Sequence, residues 1–94
     1  MATELRHLQD LTSVGQTFVR DFELLGVRSV AQLARRNPEK LYEGLCRATG
    51  RTQDLCCLDV FRAAVAQAQN PRLPEAQRQW WYWSRQRKAR DARN

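Results

Sequence analysis

The chain has 94 residues, a net charge of +6 and 43% hydrophobic residues, a composition that suits one small globular domain with a modest core. No apolar run is long enough to span a bilayer, and Glu4, Arg6, Asp10 and Arg20 interrupt the stretch where a secretory signal would need its apolar segment. Three cysteines, an odd number, do not make a disulfide framework and point to reduced thiols in the cytoplasm.

Every periodicity along the chain is helical. Leu5 and Leu8 share one face of a short first helix that Leu11 closes. Val14, Phe18, Phe22 and Leu25 mark a second helix that stops at Gly26. Ser29 with Gln32 is a capping box for the next, with Val30, Leu33 and Ala34 as its apolar side. Asn37-Pro38 pairs a cap with a first-turn proline, and Leu41, Tyr42, Leu45 and Cys46 follow as a stripe up to Gly50. Thr52 is placed to cap the longest helix, expected over 53–69 with Leu55, Leu58, Phe61, Val65 and Ala68 inward, and Asn70-Pro71 stops it. Residues 71–74 form a proline hinge, and the sequence ends in QWWYWSRQRKARDARN from residue 79. No β-alternation, repeat or low-complexity linker interrupts this order. The expectation is an all-α single domain of five or six short helices over 1–83, with 84–94 as a basic C-terminal tail, frayed or disordered.

The charge is uneven. Residues 1–71 hold nine Lys/Arg and eight Asp/Glu, whereas 72–94 hold seven basic and two acidic residues. A basic end attracts polyanions without choosing among them.

LTSVG (11–15), LLGVRSVAQLA (24–34), PEKLYEGLCRATG (38–50), DLCCLDVFRAAV (54–65) and WWYW (80–83) together resemble the bacterial helix-hairpin-helix family known as the pathogenicity-locus family, whose members are often labelled mitomycin resistance proteins. The resemblance covers most of residues 8–83. It implies a helix-hairpin-helix unit in which two helices flank a glycine turn whose backbone amides grip a nucleic-acid phosphate. A weaker similarity exists to the C-terminal helical domain of competence-regulator proteins. The family pattern has glycine on both sides of a hydrophobic residue. Here Ser13 replaces the first glycine, Val14 is the hydrophobic residue, Gly15 keeps the second, and Gln16 and Thr17 follow without a Lys or Arg until Arg20.

Each candidate site has a functional and a structural reading. Ser13, Val14, Gly15, Gln16 and Thr17 would contact phosphate through main-chain amides; alternatively Ser13 and Gln16, spaced as a capping box, satisfy those amides themselves. Arg28 beside the Ser29 helix start and Arg51 beside Thr52 would assist an anion, or are solvated arginines. Trp80, Trp81, Tyr82 and Trp83 cover a full helical turn and cannot all face one core. Either Trp80 or Trp83 closes the core as a lid, or the rings form a base-stacking platform or protein-docking surface beside Arg85, Arg87 and Lys88. Cys46, Cys56 and Cys57 lack a fourth ligand, since His7 is remote, so core packing is expected over a metal site. Asp54 and Asp59 are expected to cap or to pair with Arg62. Arg35 and Arg36 stand where hairpin-bearing DNA glycosylases place a catalytic Asp, and no phosphate loop, triad or paired carboxylate is visible.

These observations point to a noncatalytic module, without cofactor or metal, that binds nucleic acid (DNA ahead of RNA) weakly, through backbone phosphates and without sequence preference. The alternative is a protein-interaction module that binds no nucleic acid. A third class, a thiol-reactive drug-binding or resistance enzyme, rests on family labels alone.

Overall fold

The computed structural model describes residues 4–92. A single 3-10 turn at Leu8–Asp10 leads into six α-helices: α1 Gln16–Leu24, α2 Val30–Leu33, α3 Pro38–Thr49, α4 Leu55–Gln69, α5 Glu75–Arg78 and α6 Trp80–Ala92. No strand occurs among the described residues.

Two helices end by the same device. After α1, Gly26 takes a left-handed backbone (φ 79°), its amide donates to the Glu23 carbonyl and the Val27 amide to that of Phe22. After α3, Gly50 (φ 70°) donates to Arg47 and the Arg51 amide to Cys46. The positive φ suits glycine, which has no Cβ to clash, and the paired bonds satisfy otherwise orphaned carbonyls. Val27 and Phe22 are both fully buried, so the first of these stops also drives an apolar plug into the core. The helix starts at Ser29 and Asn37 also match the sequence pattern. The Ser29 hydroxyl accepts from the Gln32 amide, and the Asn37 side chain accepts from Glu39 and Lys40 ahead of Pro38.

Three boundaries differ from the pattern. The expected first helix is only a 3-10 turn in which Leu8 is buried, while Leu5 is 82% exposed and joins no core. The longest helix begins at Leu55, not 53; its cap position is Asp54 without a side-chain bond, and Thr52 caps nothing. Leu55 consequently lies half exposed at the helix edge instead of in the stripe. The boundary drawn between residues 83 and 84 falls inside α6, because that helix runs unbroken to Ala92 and buries Ser84.

The core sits around α4. Phe61 is its hub, 5.3 Å from Phe22 and 6.0 Å from Phe18 between ring centroids, and Val27, Val30, Leu33, Leu41 and Leu45 fill the space around them. α2, α3, α5 and α6 all pack on α4. That is why Leu58, Val60, Phe61, Ala63, Ala64, Val65 and Ala68 are buried together, more than one stripe of a surface helix holds.

A polar residue on so enclosed a helix must find a partner inside. Asp59 is fully buried and meets Arg87 of α6, whose Nη2 lies 3.0 Å from Oδ2 and whose Nε lies 3.1 Å from Oδ1. Arg62 turns instead to Glu39, at 2.9 Å. The pairing of Asp59 with Arg62 expected from sequence is thus replaced by a bond across the α4–α6 packing. The carboxylate raises the Arg87 pKa further above its ordinary value. Removing the guanidinium strands a buried charge, so Arg87→Ala should lower stability by about 3 kcal/mol or more, while Arg87→Leu with Asp59→Leu should cost much less. Urea denaturation of both variants checks this.

Candidate nucleic-acid interface

Residues 11–17 make a tight turn into α1. Leu11 and Val14 are buried and anchor it from beneath. Between them Ser13 adopts φ 73°, the left-handed conformation that disfavours a side chain and costs roughly 1–2 kcal/mol. This is the position where the family pattern has glycine.

Two contacts compensate. The Ser13 hydroxyl donates to the Arg78 carbonyl at 3.2 Å and accepts from the Trp80 amide at 3.1 Å. It therefore spans the break between α5 and α6. Next to it the Gln67 side chain grips Thr12 from both ends, accepting from the Thr12 amide at 2.9 Å and donating to the Thr12 carbonyl at 2.9 Å. The Gln67 amide also reaches the carbonyls of Ala63 and Arg78.

This geometry corrects the capping-box expectation. The cap of α1 is Gly15, not Ser13, and no side chain bonds the first amides of the helix. The Val14 amide donates to the Leu11 carbonyl, which removes it from the set that was expected to face phosphate. The amides of Gly15, Gln16 and Thr17 form no hydrogen bond among the described residues, and all three residues are exposed. An uncapped helix start concentrates positive partial charge and favours an anion. Gly15 has φ −91°, which any residue adopts, and a Cβ there would meet nothing within 4 Å. Its lack of a side chain leaves the approach to the amides open.

The Arg28 and Arg51 turns are different. Arg28 is exposed, but its amide donates to Gln32 Oε1 at 2.7 Å and the Ser29 hydroxyl takes the Gln32 amide, so that helix start is closed by its own side chains. It also lies beyond the far end of α1, a helix about 13 Å long at 1.5 Å per residue. Arg51 is exposed after α3, and its amide serves the helix stop described above. Neither arginine contacts the turn.

The start of α6 does adjoin the turn, through the Ser13–Trp80 bond. Trp80 is 42% exposed and Trp81 40%, and the Arg85 guanidinium sits 4.8 Å from the Trp81 ring centre. Trp83 is half-buried, with its indole nitrogen donating to the Gln77 carbonyl at 2.8 Å. None of the three tryptophans is fully buried; on α6 the buried position is Ser84, and Arg87 reaches Asp59 of α4. Lys88 is exposed. Arg87 is the exception among the basic candidates: it is bound to Asp59 and is not a free cation.

The thiols are unlike one another. Cys56 is exposed, while Cys46 and Cys57 are half-buried and Cys46 Sγ accepts from the Gln53 amide. Burial, with Cys56, Asp21 and Asp54 nearby, pushes the Cys57 thiol up to about 11. No group of three or more His, Cys, Asp or Glu that would hold a metal ion is found among the described residues. Among the described residues no helix is long and apolar enough to cross a membrane.

An all-helical domain with an exposed helix-start turn braced by its own C-terminal helix is the class of protein that these features define. The chain belongs to the pathogenicity-locus family, whose model matches residues 1–89. It is 41% identical over 81 residues to a mitomycin resistance protein of Streptomyces lavendulae, covering 86% of this chain and 73% of that protein. No solved structure matches it.

Ser13→Ala should lower stability by about 1–2 kcal/mol, since it keeps the left-handed backbone and loses both hydroxyl bonds. Ser13→Gly should cost less, because it loses the same bonds but relieves the backbone. Thermal melts that rank glycine below alanine would contradict the strain at this position. In a second test, iodoacetamide at neutral to mildly alkaline pH should modify Cys56 first. Cys57 should respond only as the pH climbs toward 11, because only the thiolate reacts. Peptide mapping by mass spectrometry reads the order.

Proposed function

We propose that this chain is a noncatalytic helix-hairpin-helix module of the cytoplasm that binds nucleic acid weakly, DNA ahead of RNA, through backbone phosphates and without sequence preference. One observation carries the reading: the exposed amides of Gly15, Gln16 and Thr17 are left without a side-chain cap because Ser13 is turned toward α6. Trp80, Trp81 and Arg85 lie on α6, whose start is bonded to Ser13, and offer apolar contact and charge on that helix. The alternative, a protein-docking surface, draws on the same two exposed tryptophans, since tryptophan and arginine dominate interface hot spots. The relative's name, a mitomycin resistance protein, supplies no chemistry of its own. A thiol reaction with a drug would fall to Cys56, the exposed thiol.

A salt-dependent titration against a duplex decides between these. Binding should lie in the nonspecific range, roughly 10⁻⁴ to 10⁻⁶ M at physiological salt, with a logarithmic slope near −0.9 for each phosphate neutralised. Arg85→Gln and Lys88→Gln should each reduce that slope. Gly15→Val should leave the melting temperature unchanged, because the backbone is ordinary and the space is open, yet weaken binding several-fold by covering the amides. Its slope should change little, since no formal charge is lost. Absence of binding at low salt ends the nucleic-acid reading. Full binding by Gly15→Val removes the turn from it.

A further inference from the structure

A second feature lies away from the turn. The loop between α2 and α3, the middle of α4 and the outer face of α6 enclose a groove of about 650 Å³. That volume is within the range of small-molecule clefts. None of residues 12–17 lines it.

Its chemistry is one-sided. Arg35, Arg36, Arg62 and Arg90 line it against a single acid, Glu39. Glu39 is already occupied by Arg62, at 2.9 Å. Burial works against the Glu39 charge, but that hydrogen bond and the nearby charges of Arg62 and Arg90 hold its carboxyl below the usual range. Arg36 is committed to the Leu25 carbonyl at 2.8 Å. Arg35 on the loop and Arg90 on α6 make no ion pair among the described residues, and both are exposed. Two guanidinium groups without an ion-pair partner among the described residues thus line the groove, one from the α2–α3 loop and one from α6.

The same groove is lined by Tyr82 and Trp83, whose rings are 5.4 Å apart at 80°. A perpendicular pair offers a flat guest one ring to stack on and another to abut. The Trp83 indole nitrogen is held by Gln77, which fixes the ring. The loop is fixed as well, by Gln69 donating to the Ala34 carbonyl at 3.0 Å. A fixed aromatic corner sharing one groove with two arginines that have no ion-pair partner among the described residues suits a ligand that joins a flat ring to an anion.

We propose that this groove takes an unpaired nucleotide of a single strand, its base against Tyr82 and Trp83 and its phosphate between Arg35 and Arg90. The proposal deepens the nucleic-acid reading and rests on it, but uses a different surface and a different form of the polymer. A duplex keeps its bases stacked inside and offers the aromatic corner nothing, whereas an unpaired base exposes both faces.

The test uses the full chain, a short oligodeoxythymidylate, a blunt duplex and free thymidine monophosphate, with NMR following the indole N–H of Trp83. The single strand should move the Trp83 signal and the duplex should not. Arg35→Gln and Arg90→Gln, both at exposed positions, should each weaken single-strand binding about fivefold and reduce the salt slope by about 0.7. Trp83→Leu should weaken it by about fivefold or more if its melting temperature is retained. If that variant is unfolded, the two arginine variants carry the test. Gly15→Val should weaken duplex binding several-fold and leave single-strand binding unchanged. Unchanged single-strand affinity in both arginine variants overturns the proposal, as does a Trp83 signal that the strand leaves in place. Equal affinity for thymidine monophosphate overturns a strand as the occupant. Duplex binding without single-strand binding removes the groove and leaves the turn standing; binding of neither removes both.

Discussion

The structure depends on one side chain placed where water cannot reach it. Gln67 is buried on α4 and returns both bonds of Thr12, so the backbone of the turn is tied to the central helix as one strand is tied to another. Buried amides are costly when unpaired, and this one is fully used, by Thr12, Ala63 and Arg78. The N-terminal turn, α4 and the α5–α6 break therefore meet at a single point. Arg6 reinforces it from outside by donating to the Gln67 and Ala68 carbonyls.

From that point the rest follows. With Thr12 held, Ser13 is forced into a left-handed backbone and its hydroxyl is directed to Arg78 and Trp80. A serine so engaged is lost to the helix start, and α1 keeps its first amides open. The Asp59–Arg87 pair acts at the other end of the same packing and sets α6 along α4. The basic C-terminal residues are thereby divided. Arg87 holds the fold, Arg85 lies on Trp81, and Lys88 and Arg90 remain on the surface. A count of charges treats these four residues of α6 as equals, yet Arg87 is consumed by Asp59 while the other three have a guanidinium or ammonium group available to a partner.

Much of the fold was legible because it is written in local chemistry. Gly26 and Gly50 stop helices through the one backbone conformation that glycine takes freely, and Asn37-Pro38 starts one through a side-chain acceptor and a missing donor. The core stripe of Phe18, Phe22 and Phe61 followed from helical spacing. The candidate turn was legible as a segment but not as a geometry. Ser13 and Gln16 have the spacing of a capping box, and nothing local reveals that the serine is claimed by residues 65 and more positions away. Asp59 and Gln67 looked like ordinary polar positions. A usable signal was present: both lie on the row that Ala63 completes at four-residue spacing, flanked by apolar residues of the longest helix, where a polar group has to point at a partner.

The sequence by itself determined the helices, their ends and the apolar faces that must be buried, because propensity, capping and periodicity act between residues a few positions apart. Only the tertiary structure decided which polar groups are consumed and which are left to act. That choice is made by pairs far apart in the chain, Ser13 with Trp80, Thr12 with Gln67 and Asp59 with Arg87, each formed when packing brings its partners out of water together. The same packing set α6 against α4 and so brought Tyr82, Trp83 and Arg90 into one groove with Arg35, a juxtaposition that no spacing along the chain contains.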